Sequence, residues 1–380
     1  MNIAVLSGKG GTGKTLISVN LAAASEAAVY MDCDVEEPNG HLYFKPDNVT
    51  EKEVTVKIPY VDPALCNGCR QCVDFCKFNA LAYIRDNLII FDEICHSCGG
   101  CVMLCPEKAL SEKDKVIGKI QIGISDNVEV HTGLLNIGEP SGVPIIKKML
   151  EDQRCRDQNP AQALADFRYS GCQDQRCRDQ DPAQVLANSR HSGCQDPRCR
   201  DQDPTQALAG SRHSGCQDPR HRDKDPEQVL ADSRYCKSKD QIYSDKKSIQ
   251  TPEVTLIDCP PGTACMVMES IQDADYCILV AEPTVFGLHN LELVYQLVTL
   301  FDKPFGIVLN KSLGDDHPVE AFCEKRNIPI LARLPFDAEL GRLNAQADIV
   351  LRKSEKYRLL FSSLLDRVIE EVQHEATSHT

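Results

Sequence analysis

Cysteine sets the first chemical question for this chain, with 20 in 380 residues. A thiolate is a nucleophile, a metal ligand or a redox group according to its surroundings. Eight cysteines lie between Cys66 and Cys105, seven between Cys155 and Cys236, and five are scattered: Cys33, Cys259, Cys265, Cys277 and Cys323. The first group repeats one frame, Cys66-x2-Cys69-x2-Cys72-x3-Cys76 and then Cys95-x2-Cys98-x2-Cys101-x3-Cys105-Pro106. Three thiolates this close wrap one corner of an iron–sulfur cubane, while the fourth crosses to a second cluster. Tetrahedral zinc prefers paired Cys-x2-Cys knuckles to four cysteines in a row.

The second chemical signal is Gly8-Lys9-Gly10-Gly11-Thr12-Gly13-Lys14-Thr15, which fits the phosphate-binding pattern of Gly, four residues, then Gly-Lys-Thr. Glycines let backbone N–H groups converge on phosphate oxygens. At this spacing Lys14 reaches the β- and γ-phosphates and the Thr15 hydroxyl sits on Mg²⁺. The loop follows an apolar run over residues 2–7, read as a buried strand, and opens an Ala- and Leu-rich helix over 16–27.

Lys9, directly after the first glycine, adds a feature. With it the loop resembles that of the deviant Walker A ATPases, the MinD/ParA/Mrp and nitrogenase iron-protein group. The resemblance implies ATP with Mg²⁺ as ligand, hydrolysis, and an ATP-dependent homodimer in which Lys9 reaches the partner's nucleotide. It implies further roles along the chain. In Asp32-Cys33-Asp34, a first switch, Asp34 orients the attacking water. In Asp258-Cys259-Pro260-Pro261-Gly262, Asp258 holds Mg²⁺ through water and the Gly262 N–H senses the γ-phosphate. Asn310 binds the adenine edge, and Leu334-Pro335-Phe336-Asp337 flanks the base.

The cysteine frames resemble bacterial two-cluster ferredoxins. That implies two [4Fe-4S] clusters, one on Cys66, Cys69, Cys72 and Cys105, the other on Cys95, Cys98, Cys101 and Cys76. Lys77 follows Cys76, where the ferredoxin pattern has Pro. A looser turn and an added positive charge predict that the two clusters differ in potential. The combination is similar to MinD-superfamily ATPases with an inserted ferredoxin domain, and residues 131–142, glycine-rich and loop-like, also look like that group. No chemistry is assigned to them.

These residues need elements to hold them. Short apolar runs over 28–31, 254–257, 276–281 and 305–309 alternate with helical stretches. The resulting fold class is α/β, a doubly wound, mostly parallel sheet with its site at the strand C-termini. The inserted ferredoxin adds a small α+β unit. The expected division is residues 1–54, 116–151 and 240–380 for the ATPase domain and 55–115 for the ferredoxin. Residues 152–239 are four 22-residue tandem repeats, with too few apolar residues per unit to build a solenoid core; they are expected to be a disordered insertion, with metal binding at Cys172-x4-Cys177 or Cys194-x4-Cys199 as the functional alternative. Residues 359–372 are amphipathic with an acidic polar side, which predicts a docked helix and not a membrane anchor.

Composition excludes several classes. Apolar residues are 42% and charged residues 26%, compatible with folded domains. A net charge of −14 argues against nucleic-acid binding. No run of eighteen apolar residues is present, so no membrane insertion is expected. No basic segment precedes the apolar residues at the start, so a cytoplasmic setting with reduced thiols is expected. Cys259 and Cys265, near the second switch, raise a bridging third cluster as an option beside ordinary core packing. The leading expectation is ATP-driven electron transfer to an unknown redox partner. The alternatives are an Mrp-type cluster carrier serving an apo-acceptor protein and a redox-sensing positioning ATPase.

Overall fold

The computed structural model describes residues 1–158, 254–314 and 316–378. In chain order the elements are β1 (Asn2–Leu6), α1 (Lys14–Ala24), β2 (Ala28–Asp32), α2 (Gly40–Phe44) and β3 (Asp47–Val61). Then come α3 (Gln71–Phe75), β4 (Leu81–Ile84), β5 (Asn87–Ile90), α4 (Gly100–Met103), β6 (Leu110–Ser125), β7 (Val128–Leu135) and α5 (Val143–Gln158). After the repeats follow β8 (Val254–Asp258), α6 (Cys265–Ile271), β9 (Tyr276–Ala281), α7 (Val285–Leu300), β10 (Phe305–Ser312), α8 (His317–Arg326), β11 (Ile330–Pro335), α9 (Ala338–Ala345) and α10 (Glu355–Ser378).

The main sheet has the order β11-β10-β9-β1-β8-β2-β7-β6-β3. All pairings from β11 to β7 are parallel; β6 and β3 are added antiparallel. The expected α/β fold with a large, mostly parallel sheet is therefore present. Continuous apolar strands are required here, because helices cover both faces. On one face Ala4 and Leu6 of β1 share a core with α5, α6, α7 and α8. On the other, Ile3 and Val5 pack with α1, α9 and α10. In α10, Tyr357, Phe361, Leu364, Leu365 and Val368 are buried, which answers the expectation of a docked helix; Leu359 of the same stripe faces out.

Two expectations need correction. Residues 131–135 are not loop: they lie within β7, hydrogen-bonded between β2 and β6. The alternation Val128, Val130, Thr132 carries the strand signal that the glycines obscured. The repeat boundary at 151/152 also moves. Helix α5 runs through Gln158, because Asp152 pairs with Lys52 at 2.6 Å and Lys148 at 3.0 Å, and Arg154 with Asp273 at 3.2 Å. The remaining repeat residues lie outside the described ones.

The cysteine segment hangs from a long ribbon. β3 and β6 pair from Asp47↔Ile124 up to Val61↔Leu110, with a register shift between Asp47 and Thr50 and a second where Val54 faces Gly118 and Thr55 faces Val116. Ile117 is the unmatched residue of that bulge, and it is buried. The expected boundaries at 54/55 and 115/116 fall on this bulge, inside continuous strands. Beyond the ribbon the segment has its own small core of Cys72, Ala80, Leu81, Cys101 and Leu110. Among the described residues no helix is long and apolar enough to cross a membrane.

Phe361 is fully buried between α10 and the sheet. Phe361→Ala is expected to lower unfolding free energy by about 3–5 kcal/mol, read as a drop in the urea midpoint with unchanged slope.

Candidate functional site

The phosphate-loop pattern becomes a tight turn between β1 and α1, at the C-terminal end of the central strand. Gly13 has φ +98°, and a Cβ there would stand 2.3 Å from Asn310 Nδ2, so only glycine fits. Lys14 is buried and Thr12 is buried with no partner for its Oγ1. Thr15 opens the helix beside it, and Gly8, Gly10 and Gly11 form the turn.

Carboxylates line the same end of the sheet. Asp32 and Asp258 face each other in register on β2 and β8. Asp32 is satisfied by backbone donors: its Oδ2 accepts from Asn39 N at 2.9 Å and Gly40 N at 2.8 Å, and its Oδ1 from Asp34 N at 3.3 Å. Asp258 Oδ2 accepts from Tyr30 Oη at 2.9 Å, and its Oδ1 is buried without a partner. Burial raises the pKa of both carboxyls; the charge of Asp258 adds to the shift of Asp32, while Lys14 opposes the shift at Asp258. Asp34 is pushed up to about 6 by burial, with Lys14 pulling the other way. Gly262 follows at φ +91°, its N–H donating to Ser7 O at 2.9 Å.

Lys9 lies at the rim and pairs with Glu282 Oε2 at 2.6 Å. Lys311 takes the other oxygen of Glu282 at 2.6 Å and also donates to Gly11 O at 3.0 Å. Burial works against ionisation of Glu282, but the two ammonium groups outweigh it and lower its pKa. The sequence gives no warning of this clamp beyond an acidic residue at the end of β9. Asn310, expected at a base edge, is buried beside the phosphate loop: its Nδ2 donates to Thr12 O at 2.7 Å and its Oδ1 accepts from Lys311 N at 2.9 Å. Phe336 and Leu313, at the ends of β11 and β10, are exposed.

The eight cysteines of the ribbon lobe divide between two cavities. One is lined by Cys66, Cys69, Cys72 and Cys105, with Val61, Tyr83 and Leu110 among its walls. The other is lined by Cys76, Cys95, Cys98 and Cys101, with Phe75, Phe78 and His96. The two halves repeat their backbone. Gly68 and Ser97, Arg70 and Gly99, and Asn79 and Lys108 all have positive φ at matching positions. Ala80 N donates to Cys76 Sγ at 3.4 Å and Ala109 N to Cys105 Sγ at 3.2 Å. The turn after Cys76 keeps the same two bonds as its Pro106 counterpart, each slightly longer: Asn79 N reaches Cys76 O at 3.3 Å and Lys108 N reaches Cys105 O at 3.2 Å. Burial raises the Cys72, Cys95 and Cys101 thiols, the last to about 11, and neighbouring cysteines of the same cavity add to each shift. Among the described residues no three His, Cys, Asp or Glu side chains converge on a point fit for one metal ion; these sulfurs surround a space.

Cys259 and Cys265 do not form a pair. Cys259 is fully buried, with Cys33 and Cys277 near enough to raise its thiol further, whereas Cys265 is exposed at the start of α6. A buried thiol cannot reach a partner subunit, so the third-cluster option loses its ligands.

A brace connects the two regions. Val35, next to Asp34, is buried between Gly133 and Gly142: Cβ atoms there would stand 2.6 and 2.2 Å from its methyls. Leu135 N donates to Val35 O at 2.9 Å. A few residues on, Glu139 pairs with Lys115 at 2.9 Å, and Lys115 Nζ also donates to Asp92 O at 3.0 Å, three residues before Cys95.

The profile of the CobQ/CobB/MinD/ParA nucleotide binding domain family matches residues 3–350. The chain belongs to this family. Two Methanocaldococcus jannaschii proteins, both uncharacterised, are similar to this family member: MJ0579, 22% identical over 318 residues (82% of this chain, 80% of that one), and MJ0578, 38% identical over 93 residues (24% and 34%). The septum site-determining protein MinD of Pyrococcus horikoshii, complexed with Mg-ADP, is 15% identical with a TM-score of 0.44, covering 97% of this chain and 95% of that one.

Asn310→Ala leaves Thr12 O without its donor. The expected result is a stability loss of about 1–3 kcal/mol and faster amide hydrogen exchange confined to the phosphate loop, read by mass spectrometry.

Proposed function

We propose that this chain is a nucleotide-switched iron–sulfur protein: it binds and hydrolyses ATP as an ATP-dependent homodimer and couples that switching to electron transfer through two [4Fe-4S] clusters. The observation that carries the reading is the division of eight cysteines, four and four, between two cavities of one lobe. An all-sulfur donor set spread around a space suits a cubane, whose irons occupy separate corners, and does not suit a single ion. When bound, such clusters supply one-electron carriage at potentials set by N–H···S bonds, charge and exposure. The Ala80 and Ala109 N–H groups are donors of this kind, one in each half. We assign 55–115 to the ferredoxin unit on the same grounds.

In the nucleotide half, the backbone from Gly8 to Gly13 cradles phosphate oxygens and Lys14 offsets their charge. The orphaned Asp258 Oδ1 and the Thr15 hydroxyl are suited to Mg²⁺ and its water shell. Asp34 accepts a hydrogen bond from the attacking water, and the Gly262 N–H exchanges Ser7 O for a phosphate oxygen. Asn310 acts as a buttress of the loop. Lys9 must leave Glu282 before it reaches a partner's nucleotide, so the clamp holds the lysine back until dimerisation offers a stronger anion.

Coupling is supported by the brace. A shift of Asp34 moves Val35, which is seated tightly between Gly133 and Gly142. The segment carrying Glu139 then moves Lys115 and, through Asp92 O, the entry to Cys95. A cluster carrier using Cys259 with Cys265 would need both thiols accessible, and Cys259 is buried.

Electron paramagnetic resonance on anaerobically purified protein, with and without ATP and Mg²⁺, tests the reading. The expected sample is brown, holds about four irons per cavity, and shows a signal for the Cys76–Cys95–Cys98–Cys101 cavity that changes on adding ATP and Mg²⁺. Lys115→Met should keep the iron and the nucleotide affinity but lose that change. Colourless protein, or spectra indifferent to ATP, would overturn the proposal.

The acid limb of hydrolysis offers a second check. Burial raises the Asp34 carboxyl to about 6, so it is ionised above that pH and protonated below it. A protonated carboxyl cannot accept from water as a base must. Hydrolysis should therefore fall as pH drops through about 6. Asp34→Asn should lower it by about 100-fold above that pH and remove the acid limb, while nucleotide binding persists.

A further inference from the structure

We propose that Tyr30 is a positioning residue for the cation site: its hydroxyl fixes the Asp258 carboxylate so that one oxygen, Oδ1, is left for Mg²⁺. The proposal rests on the reading of Asp258 given above. The residue lies in β2, beside the strand that ends in Asp258. Its side chain is fully buried, with the ring against Gly40 and with the Phe44 ring 5.0 Å away.

Of the two carboxylates that meet at this strand end, Asp32 has both oxygens committed to backbone N–H groups. Asp258 has one oxygen committed, at 2.9 Å to Tyr30, and one that is buried and without a partner. A buried, unsatisfied carboxylate oxygen is unfavourable unless a ligand completes it. An unrestrained carboxylate would also rotate about its terminal torsion, which is broad. The Thr15 and Ser18 hydroxyls also act on this carboxylate; the bond from Tyr30 is the one that commits Oδ2 and leaves Oδ1.

A phenol suits this task. It donates one hydrogen bond and, with its own ionisation disfavoured by burial, brings no positive charge to compete with a cation. A lysine or arginine at position 30 would orient the carboxylate equally well but would discharge it. No sequence motif marks Tyr30, because its partner is 228 residues away.

Tyr30→Phe removes the hydroxyl and keeps the ring packing. Binding of a fluorescent ATP analogue is measured across a Mg²⁺ titration for wild type, Tyr30→Phe and Asp258→Asn, with circular dichroism as a check on folding. In Tyr30→Phe the Mg²⁺ concentration for half-maximal enhancement should rise by about 10-fold, the scale of one charge-assisted hydrogen bond. Affinity without Mg²⁺ should stay unchanged, which a general loss of packing would not allow. An unchanged Mg²⁺ requirement in Tyr30→Phe, beside a lost one in Asp258→Asn, overturns the role of Tyr30 alone. A Mg²⁺ requirement unaltered in Asp258→Asn overturns the reading of Asp258 and this proposal with it. Equal weakening of binding with and without Mg²⁺ in Tyr30→Phe also overturns the positioning role.

Discussion

Backbone pairing at the outer edge of β7 is the constraint on which the rest of the molecule depends. A parallel sheet buried on both faces cannot end on an open, apolar strand without leaving N–H and C=O groups unpaired. β6 pairs with β7, and β3 with β6. The ribbon so formed continues past the sheet and carries the cysteine lobe at its far end. The lobe is thus an extension of the nucleotide-binding sheet by continuous hydrogen-bonded strands. A bead on a flexible linker would transmit no displacement; a ribbon of paired strands can.

Electrostatics shape the other end. Asp32, Asp34 and Asp258 gather where β2 and β8 finish, and burial disfavours the charge of each. The structure meets this in three ways. Backbone donors satisfy Asp32, Lys14 offsets part of the charge, and Tyr30 binds one oxygen of Asp258. What remains unsatisfied, Asp258 Oδ1 and Thr12 Oγ1, lies beside the phosphate loop. Polar groups left in this condition mark a place where a ligand completes the structure. At the rim, Glu282 holds Lys9 and Lys311 together, so both charges are balanced within the chain.

The cysteine lobe follows a different logic. Two halves of the same spacing fold into two halves of the same backbone, with left-handed residues at equivalent places. Its small core is built partly from the cysteines themselves.

By itself the sequence determined what depends on local pattern. Covalent spacing dictated the two cysteine frames and the Gly-rich turn from Gly8 to Thr15. Short apolar runs dictated β1, β2, β8, β9 and β10, because a doubly covered sheet needs no alternation. Helical periodicity dictated the docking of α10. Tertiary structure alone decided whatever joins distant residues: the membership of 131–135 in β7, the ribbon through the expected domain boundaries, the seat of Val35, the clamp on Lys9, and the placing of Asn310 beside the loop. The bond between Tyr30 and Asp258 spans 228 positions, and that between Asn310 and Thr12 spans 298. Such contacts leave no period and no spacing in the chain, because they are fixed by the order in which strands assemble into the sheet.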